Sequence, residues 1–222
     1  AHQANIEVWA AIRDFDGGIN SYDESYELLS HTSSRTNLIN QIISTALSTG
    51  IDGINVDFEK ISEECGEHYI QFIRELSVKC RQNGLVLSVD NYVPQAYNQQ
   101  YHRKEQGVFA DYVVIMGYDE HYVGSDAGSV ASLPWVEQGV QDTVTEVTPE
   151  RTILAIPFYT RLWKTTGGAV TSEAIGMDEA KALAGEIVAD VYRLTGTADV
   201  KGYYDDARVK RSKSRSCLHE KA

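Results

Sequence analysis

The sequence predicts an α/β fold built from parallel βαβ units. Short apolar runs rich in β-branched residues alternate with longer stretches whose apolar residues recur at helical spacing. Gly50 and Gly84 each close a helical stretch just before the next strand pattern, as glycine does at helix C-termini. Strands separated in this way are joined by crossover helices and lie parallel.

Taken in order, Ala1–Asn5 reads as the last turn of a helix and Ile6–Ile12 as a short buried strand. Asp14–Ser30 is polar, with Gly17-Gly18 as a turn signal. Ser33 or Ser34 is placed to cap a helix from Arg35 to about Ser48, with Leu38, Ile42, Ala46 and Leu47 at helical spacing. The strand Asp52–Glu59 follows. Glu67–Arg81 is the next helix, carrying Ile70, Ile73, Leu76 and Cys80 on one face. Leu85–Val93 is a strand that puts Ser88, Asp90 and Tyr92 on one side. Tyr97–Gly107 is a weaker helix and Asp111–Tyr118 a strongly apolar strand. Glu120–Leu133 is a long loop. Pro134 then sits in the first turn of a helix that runs to about Glu146, a position proline tolerates. Thr152–Phe158 is the fifth strand, and Met177 to about Leu194 is helical. Beyond the βα unit itself there is no internal repeat.

The chain has 222 residues, 42% hydrophobic and 23% charged, which is ordinary for one globular domain. Its formal net charge of −12 argues against nucleic acid or an anionic membrane as partner, and neutral sugars fit better. The three cysteines, Cys65, Cys80 and Cys217, are odd in number and form no CxxC pair. Neither a disulfide framework nor a zinc site is expected, and Cys65 and Cys80 read as space-filling. His121 has no partner at metal-ligand spacing. With no glycine-rich phosphate loop and no GxSxG elbow, no cofactor and no metal are expected. No apolar run reaches the length of a membrane span. No signal peptide stands at Ala1 and the chain does not start with Met, so it reads as a fragment whose export signal, if any, lies outside it. The run from Arg208 to Arg215 is basic in an otherwise acidic chain. Residues 196–222 are expected to be a disordered basic tail rather than a polyanion-binding patch.

Chemistry concentrates in Asp52-Gly53-Ile54-Asn55-Val56-Asp57-Phe58-Glu59. On a strand, side chains alternate between two faces. Ile54, Val56 and Phe58 point one way, and Asn55, Asp57 and Glu59 the other. Two carboxylates at i and i+2 repel, which pushes one toward its protonated form, the state that general acid catalysis requires.

This stretch resembles the signature of family 18 glycoside hydrolases, the chitinase-like group, whose pattern is Asp-Gly-x-Asp-x-Asp-x-Glu. Asp52, Gly53, Asp57 and Glu59 match it, and Asn55 replaces the inner aspartate. Met116-Gly117-Tyr118-Asp119 resembles the family's Met-x-Tyr-Asp. Ala155 to Arg161, with Pro157 and Tyr159, resembles its Gly-x-Pro-x-Tyr-Gly-Arg, with Ala155 and Thr160 in place of the glycines. The resemblance spans roughly Ile6 to Leu194. It implies a (β/α)8 TIM barrel with the glutamate at the C-terminal end of the fourth strand, where barrel chemistry sits. The five strands here would be the third to the seventh, an incomplete barrel over residues 1–195 with no counterpart of the first two or the eighth.

The resemblance also implies roles. Glu59 would be the acid/base. Asp57 would orient the sugar's 2-acetamido group, stabilise its developing charge and keep Glu59 protonated. Tyr118 would donate to the acetamido carbonyl, and Asn55, Met116, Asp119, Tyr159, Arg161 and Trp135 would bind substrate. Trp163 is a further candidate for stacking on sugar rings. The implied reaction is substrate-assisted cleavage, with retention, of an N-acetylglucosamine-containing polymer. Asn55, Glu120-His121-Tyr122 and Ser132-Leu133-Pro134-Trp135 are most similar to the spore-cortex, peptidoglycan-degrading branch. That branch implies an extracellular, cell-envelope or spore location in a Gram-positive bacterium, with LysM-type wall-binding domains outside this chain. A chitinase and a non-catalytic aminosugar-binding barrel are the alternatives.

Overall fold

The computed structural model describes residues 1–15, 19–185 and the backbone of 217–221. Its main sheet holds the five expected strands in chain order: β1 (Trp9–Arg13), β2 (Gly53–Asp57), β3 (Val86–Tyr92), β4 (Tyr112–Met116) and β5 (Thr152–Ala155). β1 through β4 pair in parallel. The helices α1 (Tyr22–Ser30), α2 (Thr32–Thr49), α3 (Gly66–Gln82), α4 (Arg103–Phe109) and α5 (Leu133–Glu146) fall between them. The chain divides into two compact units. One comprises Ala1–Met116 with Val140–Leu154; the other comprises Gly117–Gly139 and the chain from Ala155.

In the first unit, β2 turns Ile54 and Val56 into the core, and Phe58, just past its end, follows them. Phe58 stacks on Phe72 of α3 at 5.6 Å between ring centroids and on Tyr69 at 6.2 Å. Ile70, Ile73, Leu76 and Cys80 are fully buried, as the helical spacing of α3 predicted, and each of the three aliphatic side chains contributes about 1.5–3 kcal/mol on burial. On the other face, Trp9 of β1 stacks on Tyr112 of β4, centroids 5.5 Å apart, although two strands lie between them. The sheet is therefore strongly curled at this end. Gly53 makes the approach possible: a Cβ there would lie 2.7 Å from Trp9 Cδ1.

Several local expectations are corrected. The polar segment before Ser30 contains α1, capped by Ser21, whose hydroxyl accepts the Glu24 N–H at 3.2 Å while Glu24 accepts the Asn20 N–H at 2.7 Å. Neither Ser33 nor Ser34 caps α2, which starts at Thr32 after His31, and Leu47 is exposed. The weak helix at 97–107 is a 3₁₀ turn (Ala96–Tyr101) and α4, broken at His102, whose φ is +51°. Residues 117–132 form neither helix nor strand, as expected of a long loop.

In the second unit, β6 (Tyr159–Thr166) and β7 (Ala169–Gly176) form an antiparallel hairpin not anticipated from the sequence. Gly167 and Gly168 both take positive φ at its turn, where glycine is favoured. The backbone of β8 (Cys217–Lys221) pairs in parallel with β6. Residues 177–185 are helical. The expected end of that helix near Leu194, the basic run at 208–215 and Gly17-Gly18 lie outside the described residues.

Candidate active site

The alternation that buries Ile54, Val56 and Phe58 leaves Asn55, Asp57 and Glu59 half-buried on the opposite face. Glu59 lies just beyond the end of β2, where the strand ladder no longer holds its backbone. Other groups hold it instead. Asp14, wholly buried at the end of β1, accepts the N–H of Glu59 at 2.7 Å through Oδ1 and the N–H of Lys60 at 2.8 Å through Oδ2. The Ser25 hydroxyl donates to Asp14 Oδ2 at 3.0 Å. The Tyr101 hydroxyl donates to the Glu59 carbonyl oxygen at 3.0 Å, and the Tyr92 hydroxyl donates to Glu59 Oε2.

Asp57 sits between opposed neighbours. Arg13 of β1 is its register partner, and Asp90 of β3 lies on its other side. Burial, then the charges of Asp90 and Glu59, push its carboxyl up to about 7, while Arg13 pulls it down. Its Oδ1 is buried without a hydrogen-bond partner among the described residues. Asp90 is also raised, first by burial and then by Glu59, against the stabilising hydrogen bond from Asn55. The Asn55 amide donates to Asp90 Oδ1 at 2.8 Å and to Ser88 Oγ at 2.9 Å. Repulsion between neighbouring carboxylates was expected to keep Glu59 protonated; the carboxyl lifted toward neutrality is Asp57, and burial is the larger cause. A carboxyl that titrates near 7 can change its charge as a cationic centre develops beside it.

Met116 closes β4 and is buried. Tyr118 lies past the strand end, not on it. Within the second unit Tyr118 packs edge-on against Tyr159, centroids 6.3 Å apart, and the Tyr159 hydroxyl donates to Asp119 Oδ1 at 2.6 Å. Asp119 takes a φ of +60°. Trp135, in the first turn of α5, is half-buried. Arg161 is buried, donates from Nε to Ser172 Oγ at 3.0 Å and lies over the Trp163 ring, so its guanidinium is engaged inside the hairpin. The stacking expectation for Trp163 is corrected. Its side chain is fully buried and its indole N–H donates to the Gly128 carbonyl at 2.9 Å. His121 contacts the Asp126 carbonyl oxygen through Nδ1. Among the described residues no cluster of His, Cys, Asp and Glu is placed to hold a metal, and no helix is long and apolar enough to cross a membrane.

Residues 2–220 match the glycosyl hydrolases family 18. The chain belongs to that family. Among its relatives, the uncharacterized glycosylase YvbX of Bacillus subtilis (strain 168) is 28% identical over 78% of this chain and 52% of its own length. The cortical fragment-lytic enzyme of Bacillus anthracis is 26% identical over 94% of this chain and 50% of its own length. The crystal structure of the putative sporulation-specific glycosylase ydhD from Bacillus subtilis superposes with a TM-score of 0.77 at 25% identity, covering 83% of this chain and 63% of that one. The chain thus spans about half the length of these curated relatives.

For a family 18 hydrolase, the residues that reading by motif passed over are informative. Asp14 and Ser25 belong to no motif, and Tyr101 lies in a weak helix pattern. Asp90 and Tyr92 face the same side as Glu59 by alternation, and the pairing of β3 beside β2 brings them within hydrogen-bond reach of Asn55 and Glu59. The family's inner aspartate position is here an amide that binds a carboxylate supplied by the neighbouring strand.

Proposed function

We propose that this protein is a retaining glycosidase that cleaves N-acetylglucosamine-containing chains of peptidoglycan or spore cortex with help from the substrate's own acetamido group. Protonated Glu59 gives its proton to the glycosidic oxygen as the bond to the anomeric carbon breaks. The acetamido carbonyl oxygen attacks that carbon from the opposite face, forming an oxazolinium ion. Water then attacks the anomeric carbon and gives a proton to the Glu59 carboxylate, which restores the acid. Asp57 orients the acetamido N–H and, when ionised, balances the oxazolinium charge. By motif, Tyr118 donates to the acetamido oxygen, and Asn55, Met116, Asp119, Tyr159 and Trp135 contribute to substrate binding. Arg161 contributes through the hairpin in which it is buried.

The observation that supports this most is the pair on the polar face of β2. Burial and the neighbouring carboxylates push the Asp57 carboxyl up to about 7 beside a Glu59 whose backbone and carboxylate are both fixed. The cortical fragment-lytic relatives favour a cell-wall substrate, and with it action at the envelope or spore and wall-binding domains elsewhere in the parent protein. We also infer that the curled five-stranded sheet corresponds to strands three to seven of an incomplete (β/α)8 barrel within residues 1–195.

The test is Glu59→Gln in the full-length protein, assayed on cortex peptidoglycan and on chitin with identification of the new reducing end. A fall in kcat of about 10²–10⁴-fold with substrate binding retained is expected, with peptidoglycan the better substrate of the parent. Cleavage at the parental rate removes Glu59 as the acid, and preference for chitin replaces the substrate assignment.

A further inference from the structure

Asp14 has no accessible surface, and a buried carboxylate is costly unless its oxygens are bonded. Both oxygens are bonded here, to the N–H groups of Glu59 and Lys60 at 2.7 and 2.8 Å, and Oδ2 also accepts from Ser25. The pairing of β1 with β2 ends at Arg13 and Asp57, so these two N–H groups lie past the last rung of the ladder. Asp14 takes over where the backbone pairing stops, and Ser25, itself buried in α1, sets the direction of its carboxylate. The carbonyl of Glu59 is held from the other side by Tyr101. The Glu59 peptide is thus gripped at both its donor and its acceptor.

We propose that Asp14 is a positioning residue for Glu59: by clamping the backbone N–H groups at 59 and 60 it fixes the direction in which the Glu59 side chain leaves the strand, and Ser25 orients the clamp. This rests on the reading of Glu59 as the proton donor. Misplacing a reacting group by about 1 Å costs on the order of 10²-fold in rate, so a backbone anchor beside the acid acts on kcat. A bond that merely ties β1 to the following segment would act on folding alone. An asparagine at 14 offers one acceptor oxygen and turns its NH2 toward an N–H, so it breaks the clamp without changing the size of the side chain.

The experiment compares Asp14→Asn, Ser25→Ala and Glu59→Gln with the parent in the full-length protein, using a soluble N-acetylglucosamine oligomer and thermal unfolding. Asp14→Asn is expected to lower kcat about tenfold to a hundredfold with KM within about twofold, in a protein still folded at the assay temperature. Ser25→Ala is expected to lower kcat less, again with KM held. Parental kcat in folded Asp14→Asn overturns the proposal, as does an effect confined to KM. If Asp14→Asn does not fold, parental kcat in Ser25→Ala overturns it. A Glu59→Gln variant that keeps parental kcat overturns the catalytic reading and this inference with it. An inactive Glu59→Gln beside a fully active Asp14→Asn overturns this inference alone.

Discussion

The Tyr92 hydroxyl, at the end of β3, donates to Oε2 of Glu59. Burial and the Glu59 carboxylate hold that hydroxyl far above the usual tyrosine range, so it remains a donor across any working pH. Tyr92→Phe removes this one contact from a partly exposed ring. With Glu59 as the proton donor proposed above, losing the contact frees its side chain to leave that rotamer, and kcat should fall about three- to thirtyfold with little change in KM. Steady-state kinetics on a soluble oligomer checks this, and a rate equal to the parent's would mean the contact does not order the acid.

The raised carboxyl of Asp57 makes stability depend on pH with a definite sign. Its value is about 3.8 in the unfolded chain and about 7 when folded. The folded state therefore binds the proton more tightly. The contribution is fully present below about pH 4 and is lost as pH rises through 7. Asp57→Asn removes the charged form, so its stability relative to the parent should grow between pH 4 and pH 8, reaching on the order of 1–2 kcal/mol once solvent screening of a half-exposed group is allowed for. Thermal unfolding across that range reads the effect. A difference that is flat with pH, or that shrinks as pH rises, would contradict the burial of this carboxyl.

Gly53→Ala tests the curl of the sheet. The new Cβ would meet Trp9 Cδ1 at 2.7 Å and the Val86 carbonyl oxygen at 3.0 Å, so the indole must shift off Tyr112. Overpacking of this kind costs about 1–3 kcal/mol, which lowers Tm by several degrees. An unchanged melting temperature would show that the Trp9 ring does not lie against position 53.

How much of this was visible beforehand follows from how local each signal is. β2 and the buried face of α3 were legible because alternation and helical spacing are written in consecutive residues. The start of α1 was also written locally, in the Ser21 cap and the Glu24 that folds back on it, but its polar composition reads as loop. The β6–β7 turn has its signal in Gly167-Gly168, masked by the expectation of one more βα unit. Trp163 could not be assigned from its own neighbourhood, since its partner Gly128 lies in the preceding long loop. Asp14 was the least accessible. Its role exists only because β1 lies beside β2, which brings residues 45 and 46 positions apart into one clamp.

The Asn55–Asp90 hydrogen bond sets an order on how this site can change. An aspartate at 55 would set a second desolvated carboxyl against Asp90, so the pair would have to hold a proton between them where an amide now bridges them. Positions 55 and 90 are therefore epistatic. A lineage, or an engineer, that places an aspartate at 55 while Asp90 remains adds a further titratable carboxyl to the buried group around Asp57, whereas replacing residue 90 first does not.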